Sequence, residues 1–380
     1  MVNGGAPDNA TAVQQLAAEL NQRVSQPWTL MEVCGGQTHA IVRWGLDQLL
    51  PAGLRLIHGP GCPVCVTPAT TLDHAMELAR QPGVILCSYG DMLRVPGSSP
   101  SDLLAVRSAG GDVRLLTSPQ QALELARSHP ERQVVFLAVG FETTAPATAL
   151  LARQALALQL PNLSLLVAHV RVAPAMEAIL SGEHNQVQGF LAAGNVCAVT
   201  GTGEMRQLVR RHQRPVVVTG FAPRELMEGV LACVAMLEDG RAGLANAYGQ
   251  VVRPEGNRQA RALLAEVFAV VDQPWRGFGP ITGGGLALSP PYDTLDASRR
   301  FGLASPATAH SPAEAETACI SGRILQGLST PTDCPCFGRE CTPEHPLGAP
   351  MVSSEGTCAA YHRFRPDMQQ PRGRSANKFS

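Results

Sequence analysis

Short apolar runs alternate with segments of helical periodicity through the first half of the chain. Residues 28–33 and 54–58 are predicted strands, and residues 70–80 carry apolar side chains at helical spacing. Such alternation is typical of a parallel sheet whose strands are joined by helices. The pattern begins again further on, with a predicted strand at 133–139. We therefore predict an α/β fold with two Rossmann-like parallel-sheet domains.

The second half of the chain has a different character. At 380 residues the chain is too long for one ordinary core. Glycine-rich segments at 275–279 and 282–285 are predicted loops, and proline and cysteine dominate 331–350, where little regular structure is expected. A metal cluster would stabilise a region with so little regular structure. The predicted parts are an N-terminal helical segment (1–24), a first α/β domain (25–117), a second α/β domain (118–222), a helical and cysteine-rich domain (223–365) and a disordered tail (366–380).

Composition excludes some classes of function and favours others. The net charge of −1 and the 4% aromatic content give no basis for binding nucleic acid or an anionic membrane. No apolar run approaches the ~20 residues that span a bilayer, and the first residues are polar, unlike a signal peptide. We therefore expect a cytoplasmic protein. Since disulfides are rare there, the 11 cysteines indicate metal binding or redox chemistry.

Cys34 lies in Cys-Gly-Gly-Gln-Thr-His, directly after a predicted strand and shortly before His39. Glycine allows close approach of the backbone and tolerates positive φ, so we expect the thiol on an accessible turn. A cysteine, a glycine turn and a histidine together indicate a nucleophile or a metal ligand. The alternative is a small buried core residue, which is common for cysteine.

Cys62 and Cys65 form a Cys-x-x-Cys motif in Gly-Pro-Gly-Cys-Pro-Val-Cys, after the second predicted strand. In an α/β protein this motif favours a dithiol/disulfide pair, and a helix beginning near Pro68 would lower the thiol pKa. The alternative is half of a zinc site. Glu142 and Thr143 follow the predicted strand at 133–139 and could line the same crevice as Cys34. For them, a helix N-cap at Thr143 or Thr144 is the first interpretation.

Five of the cysteines fall within the last part of the chain. Four thiolates in a proline-rich region suit either an iron–sulfur cluster or a zinc ion, and the spacing alone leaves both open. Cys336 is additional to the widely spaced set, which is Cys319, Cys334, Cys341 and Cys358.

These motifs together resemble the HypD family of hydrogenase maturation factors. The resemblance extends from about residue 24 to residue 364 and includes several motifs in the same order. They are Cys-Gly-Gly-Gln-Thr-His (34–39), Gly-Pro-Gly-Cys-Pro-Val-Cys (59–65), Gly-Phe-Glu-Thr-Thr-Ala-Pro (140–146), Arg-Pro-Glu-Gly-Asn (253–257), Trp-Arg-Gly (275–277), Cys-Thr-Pro (341–343) and Glu-Gly-Thr-Cys-Ala-Ala-Tyr (355–361).

The resemblance implies a role in building the Fe(CN)2CO group of [NiFe]-hydrogenase. In this family the protein forms a complex with the small chaperone HypC, and HypE supplies cyanide made by HypF from carbamoyl phosphate. The finished group passes to the hydrogenase large-subunit precursor. Such a protein is an assembly scaffold with redox activity. The resemblance also implies a [4Fe-4S] cluster on Cys319, Cys334, Cys341 and Cys358, with Cys336 as an extra residue.

The same resemblance assigns roles to the early thiols. Cys34 would bind the iron together with a cysteine of HypC, and Cys62 with Cys65 would be the redox-active pair. A dithiol that becomes a disulfide releases two electrons, the number needed to attach cyanide from a thiocyanate-like donor. Groups that orient ligands or donate hydrogen bonds would be Gln37, Thr38, His39, Glu142 and Thr143.

One position departs from the family pattern. Asn195 stands where the family has a histidine, and Cys197 adds a thiol nearby. Asparagine keeps the capacity for hydrogen bonds but cannot shuttle protons near neutral pH. Two competing hypotheses are a thiol-disulfide oxidoreductase that acts on proteins, for which Cys34 would be dispensable, and a zinc-stabilised binding protein without redox activity.

Overall fold

The computed structural model describes residues 9–303 and 318–365. The tail predicted at 366–380 lies outside the described residues, as do residues 1–8 of the predicted N-terminal segment. The rest of that segment forms a helix, as its apolar periodicity predicts.

Strands and helices alternate along most of the chain. The strands are β1 (Trp28–Glu32), β2 (Leu54–His58), β3 (Val84–Ser88), β4 (Val113–Leu115), β5 (Gln133–Gly140), β6 (Leu163–His169), β7 (Gly189–Ala193), β8 (Val216–Thr219), β9 (Leu244–Asn246), β10 (Phe268–Trp275) and β11 (Gly279–Leu288). The α-helices are α1 (Asn9–Arg23), α2 (Gly35–Trp44), α3 (Pro63–Val66), α4 (Ala69–Arg80), α5 (Leu103–Ser108), α6 (Gln120–Ser128), α7 (Ala145–Ala157), α8 (Val172–Leu180), α9 (Gly194–Thr200), α10 (Gly203–His212), α11 (Pro223–Glu238), α12 (Arg258–Val267), α13 (Ala297–Arg300), α14 (Ser321–Leu325) and α15 (Thr357–Phe364).

Two parallel sheets form the body of the protein, which confirms the predicted α/β class. One sheet has five strands in the order β2-β1-β7-β8-β9, and the other has four in the order β4-β3-β5-β6. All neighbouring strands within these two sheets are parallel. Parallel neighbours need long crossovers, which the helices supply.

The two sheets are interleaved in the chain, which differs from the predicted succession of domains. The chain starts in the five-stranded sheet, builds all four strands of the other sheet, and then returns for β7, β8 and β9. The predicted boundary between residues 117 and 118 falls between β4 and β5, which share one sheet. Strand–helix alternation looks the same in both sheets, so it does not reveal which sheet a strand joins.

Of the two glycine-rich segments predicted as loops, residues 276–278 of the first form the turn between β10 and β11, as predicted, whereas the second is strand, and that prediction was wrong. Gly283, Gly284 and Gly285 lie in β11, which pairs with β10 as an antiparallel hairpin. The register shifts between Val271 and Gln273. A Cβ on Gly285 would lie 2.5 Å from Cβ of Gln273. Glycine is needed here because the irregular pairing brings the two strands close together.

The cysteine-rich region has little regular structure, as predicted. Besides α14 and α15 it contains short 3-10 helices at Pro331–Asp333 and Ala349–Met351. Its apolar side chains form a small cluster of their own, which includes Phe337, Met351 and Tyr361. Among the helices that the structure describes, none combines the length and apolar character needed to cross a membrane.

Candidate functional site

The two early cysteine motifs lie against each other because β1 and β2 are neighbouring parallel strands. Glu32 and His58, the last residues of these strands, are register partners. Beyond the strand ends, the Gly35 N–H donates to the Gly61 carbonyl at 2.7 Å. A Cβ on Gly61 would lie 2.4 Å from the backbone nitrogen of Cys34. The fold therefore brings the Cys34 and Cys62 segments into backbone contact.

Cys34 lies at the N-terminus of a helix, not on an open glycine turn. Helix α2 begins at Gly35, and Cys34 is its N-cap residue. The helix ends at Trp44, where Gly45 has φ 63°. Gly35 does not have positive φ. It is needed for close approach, since a Cβ there would lie 2.4 Å from Cβ of Glu355.

The Cys34 thiol is shielded from solvent. Its residue is only 6% exposed, so the expectation of an accessible thiol was wrong for the chain alone. Burial raises the pKa of Cys34 to about 12, although the N–H of Gln37 at the helix start acts in the opposite direction. The thiol donates to Oδ1 of Asn195 across 3.7 Å. Cys34 is therefore a neutral thiol near pH 7, and a metal must displace its proton to bind the sulfur.

Cys62 and Cys65 are joined as a disulfide, with an S–S distance of 2.16 Å. Cys62 is the N-cap of α3, and its sulfur accepts from the Cys65 N–H at 3.1 Å. The helix predicted near Pro68 is α4, for which Pro68 is the N-cap residue, and the short helix α3 precedes it. Cys62 is 2% exposed and Cys65 is fully buried, so a large thiol substrate has no direct access to either sulfur.

A buried carboxylate beneath Cys34 was missed from the sequence. Glu32 is fully buried, and its Oε2 accepts from the Cys34 N–H at 2.8 Å. Its Oε1 accepts from Thr38 Oγ1 and lies 2.7 Å from Nδ1 of His58. Three donors on one carboxylate fix the start of α2 to the ends of β1 and β2. The only signal in the sequence was an acidic residue inside a predicted apolar strand, since the pairing with His58 appears only in the register of the sheet.

Gln37 and Thr38 hold α2 in place. Gln37 is fully buried, and its Nε2 donates to Oγ1 of Thr219 at 2.7 Å and to the Ala192 carbonyl at 3.2 Å. Thr38 donates to Glu32. Both side chains act on the framework around Cys34, at the carboxyl edge of the five-stranded sheet.

His39 is oriented toward the C-terminal region. Its Nδ1 lies 3.2 Å from the Ser354 carbonyl, and its ring packs edge-on against Phe364 with centroids 5.0 Å apart. These contacts fasten α2 to α15. The contacts that orient His39 are thus with the C-terminal region and not with Cys34.

Glu142 reaches the site from the other sheet. It follows β5, is 4% exposed, and accepts from the Val172 N–H at 3.1 Å. Burial raises its pKa to about 7, with Glu204 adding to the rise and Arg171 opposing it. The charges of both Glu142 and Cys34 raise the pKa of Cys197, after the larger effect of burial. Residues from both sheets therefore meet around Cys197.

Thr143 and Thr144 begin the turn into α7. Thr143 is half-buried, and Thr144 holds the N-cap position without a side-chain capping bond. Pro146 lies in the first turn, as the capping interpretation predicts. The structure therefore confirms that Thr144 is the N-cap residue, but its side chain does not make the capping hydrogen bond.

The late cysteines act on one another electrostatically. Burial raises the pKa of Cys358 well above its ordinary value, and the charges of Cys319, Cys341 and Cys334 raise it further. The Leu347 N–H donates to the Cys341 sulfur at 3.4 Å. Within residues 9–303 and 318–365, no group of three or more cysteine, histidine or acidic side chains is arranged to hold a metal ion.

The turn between β10 and β11, here called the hairpin tip, contacts both α3, which carries the disulfide, and the cysteine-rich region. The Arg276 N–H donates to the Val66 carbonyl at the end of α3 at 2.8 Å. Gly277, with φ 81°, approaches Gly322 so closely that a Cβ would lie 2.6 Å from its Cα. A cavity of about 510 Å³ lies here, lined by residues that include Pro68, Phe278, Cys319 and Arg323.

Sequence comparison relates nearly the whole chain to one family of proteins. The family model HypD, described as "Hydrogenase formation hypA family", matches residues 11–365. The hydrogenase maturation factor HypD of Azotobacter vinelandii is 45% identical over 366 residues, which cover 94% of this chain and 95% of that protein. HypD of Rhizobium leguminosarum bv. viciae is 42% identical, with 93% of each chain covered. HypD of Escherichia coli is 41% identical, also with 93% of each covered.

Proposed function

The chain belongs to the HypD family of hydrogenase maturation factors, and we propose that it holds iron on Cys34 while the Fe(CN)2CO group is assembled. The observation that carries this proposal is the position of Cys34. Its thiol lies at a helix N-terminus, beyond the carboxyl ends of parallel strands, in backbone contact with the Cys62 segment. We further propose that a cysteine of HypC completes the iron site and that the complex works in the cytoplasm.

The disulfide pair is the proposed source of electrons for cyanide attachment. HypE would present cyanide as a thiocyanate, R–S–C≡N, made with HypF. Cleaving the S–C bond takes two electrons and gives R–S⁻ and CN⁻, which binds the iron. Oxidation of the Cys62 and Cys65 thiols to the disulfide supplies two electrons and two protons. One proton returns R–S⁻ to the thiol, and the other is released to solvent. The disulfide described above is the product state of this step.

A [4Fe-4S] cluster is proposed on Cys319, Cys334, Cys341 and Cys358. Four cysteine thiols are the donor set that such a cluster requires, their charges act on one another, and the Leu347 N–H donates to the Cys341 sulfur. In the described residues the four sulfurs are not yet gathered around one point, so binding the cluster would draw them together. When bound, the cluster would supply single electrons. Cys319 lines the cavity next to the hairpin tip, whose Arg276 contacts α3, so this chain's own residues provide a contact route toward Cys65.

The remaining site residues are proposed to shape the space around the iron. Gln37 and Thr38 anchor α2, and His39 fastens it to α15. Glu142 and Thr143 reach the site from the four-stranded sheet, where Glu142 is a candidate proton carrier because its pKa is raised to about 7. The finished group would then pass to the hydrogenase large-subunit precursor.

The burial of both disulfide sulfurs argues against an oxidoreductase that exchanges disulfides with protein substrates, whereas the step proposed above takes only electrons from the pair. Such an enzyme needs one sulfur that a partner thiol can attack, whereas Cys62 is 2% exposed and Cys65 is fully buried. Colour distinguishes the proposed iron–sulfur protein from a zinc-stabilised binding protein. An iron–sulfur protein is brown when purified anaerobically, and a zinc protein is colourless.

The infrared spectrum of the protein purified with HypC tests the proposal. We expect cyanide and carbonyl stretching bands with the native chain and their loss in Cys34→Ala. Cys233→Ala is a matched control, because Cys233 is fully buried in the core behind the five-stranded sheet. Bands that survive in Cys34→Ala would refute the assignment of iron to Cys34.

A further inference from the structure

We propose that Asn195 is a cargo-binding residue whose side-chain Nδ2 donates a hydrogen bond to a cyanide ligand of the iron on Cys34. This inference rests on the proposed function and deepens it. It also gives a physical role to the position where the chain departs from the family pattern.

The orientation of the Asn195 amide follows from its neighbours. The Val196 N–H lies 2.9 Å from the atom assigned as Oδ1. A backbone N–H can only donate, so the facing atom must be the oxygen and not the NH2 group. The same oxygen accepts from the Cys34 thiol at 3.7 Å. The two N–H donors of Nδ2 therefore point away from Val196 N.

Asn195 is also exposed to solvent, although the flanking Gly194, Val196 and Cys197 are all buried. A thiolate–metal bond is about 2.3 Å long, so a diatomic ligand of that metal extends beyond a side chain 3.7 Å from the sulfur. An iron-bound ligand on Cys34 thus comes within reach of the amide.

Cyanide is the ligand best matched to this donor. The nitrogen of a metal-bound cyanide carries more negative charge than the oxygen of carbon monoxide, and hydrogen bonds to charged acceptors are the stronger ones. The amide donates at every pH, and it neither adds charge to the site nor moves a proton. Asn195 would therefore hold the cyanide ligands in place without taking part in proton transfer.

The test uses the full chain purified with HypC and compares infrared spectra and the rate of iron loss. Asn195→Asp keeps the oxygen that faces Val196 and Cys34 but replaces the donor with an acceptor. Asn195→Ala removes the amide without adding charge, and Asn195→His restores a donor. Asn185→Ala is the matched control, because Asn185 also accepts from a nearby backbone N–H but precedes β7 instead of following it.

We expect shifted cyanide bands and about tenfold faster iron loss in both Asn195→Asp and Asn195→Ala, with recovery toward native behaviour in Asn195→His. The control should match the native chain. Unchanged bands and iron loss in Asn195→Ala would overturn the inference, and so would a shift in Asn195→Asp alone, since charge would then explain it. If the native complex shows no cyanide bands, the proposed function itself fails.

Discussion

Replacing Gly61 by alanine tests whether backbone contact between the two motifs positions Cys34. A Cβ at this position would lie 2.4 Å from the nitrogen of Cys34 and 2.5 Å from its Cα. These distances fall about 1 Å short of ordinary van der Waals contact, and the obstacle is backbone, which cannot rotate away. Forcing extra volume into such a contact costs roughly 1–3 kcal/mol. The Cys34 segment must also move, which weakens the bond between its N–H and Glu32.

The assay combines urea unfolding with iron retention by the HypC complex. We expect a lower free energy of unfolding and weaker iron retention for Gly61→Ala. The matched control is Gly203→Ala, because a Cβ on Gly203, in the first turn of α10, would meet no atom within 4 Å. Alanine in a helix gains roughly 0.5–1 kcal/mol over glycine, so the control should be neutral or stabilised. Equal stability and iron retention in the two variants would refute the close-packing argument.

Three further predictions follow from the same region. Glu32→Gln leaves the donors around this carboxylate without a charged acceptor and should cost roughly 3–5 kcal/mol in urea unfolding. The partly exposed Glu228, which pairs with Arg224 on the surface of α11, is the control, and Glu228→Gln should cost under about 1 kcal/mol. Equal costs would contradict the buried network. Burial raises the pKa of Glu142 from 4.5 to about 7, so the folded state holds the extra proton and stability falls as pH rises through that window. Glu142→Gln should remove this fall, roughly 3 kcal/mol between pH 4.5 and 7.5, and an unchanged pH dependence of unfolding would count against it. Single serine changes at the proposed cluster ligands should lower iron and sulfide content while Cys336→Ser should not, and intact content in all four ligand variants would exclude the assignment to Cys319, Cys334, Cys341 and Cys358.

The strands that carry the site could be predicted from local sequence. Residues 28–33 and 54–58 are apolar runs bounded by polar or glycine residues, and the structure has β1 and β2 there. Since ligands in α/β proteins bind beyond the carboxyl ends of strands, the candidate residues after these strands could be predicted to lie at one edge of a sheet. The contact between the Cys34 and Cys62 segments follows once the two strands are neighbours.

The features missed from the sequence all depend on pairing between distant segments. Glu32 meets His58 only because the parallel register makes them partners, and neither residue signals this alone. The glycines at 283–285 read as a loop, because local composition does not show that Gln273 needs the space that a Cβ on Gly285 would fill. His39 follows Cys34 closely, yet the helix turns it toward Phe364.

The three early cysteines differ in how close they lie to solvent. Cys65 is fully buried and Cys62 is 2% exposed, whereas Cys34 is 6% exposed and adjoins the exposed Asn195. On the proposed function, an iron donor or a HypC cysteine would approach Cys34 beside Asn195. Electrons for Cys62 and Cys65 would come through the protein, where α3 contacts the hairpin tip beside Cys319. We therefore expect cargo to remain bound to Cys34 while the disulfide is reduced.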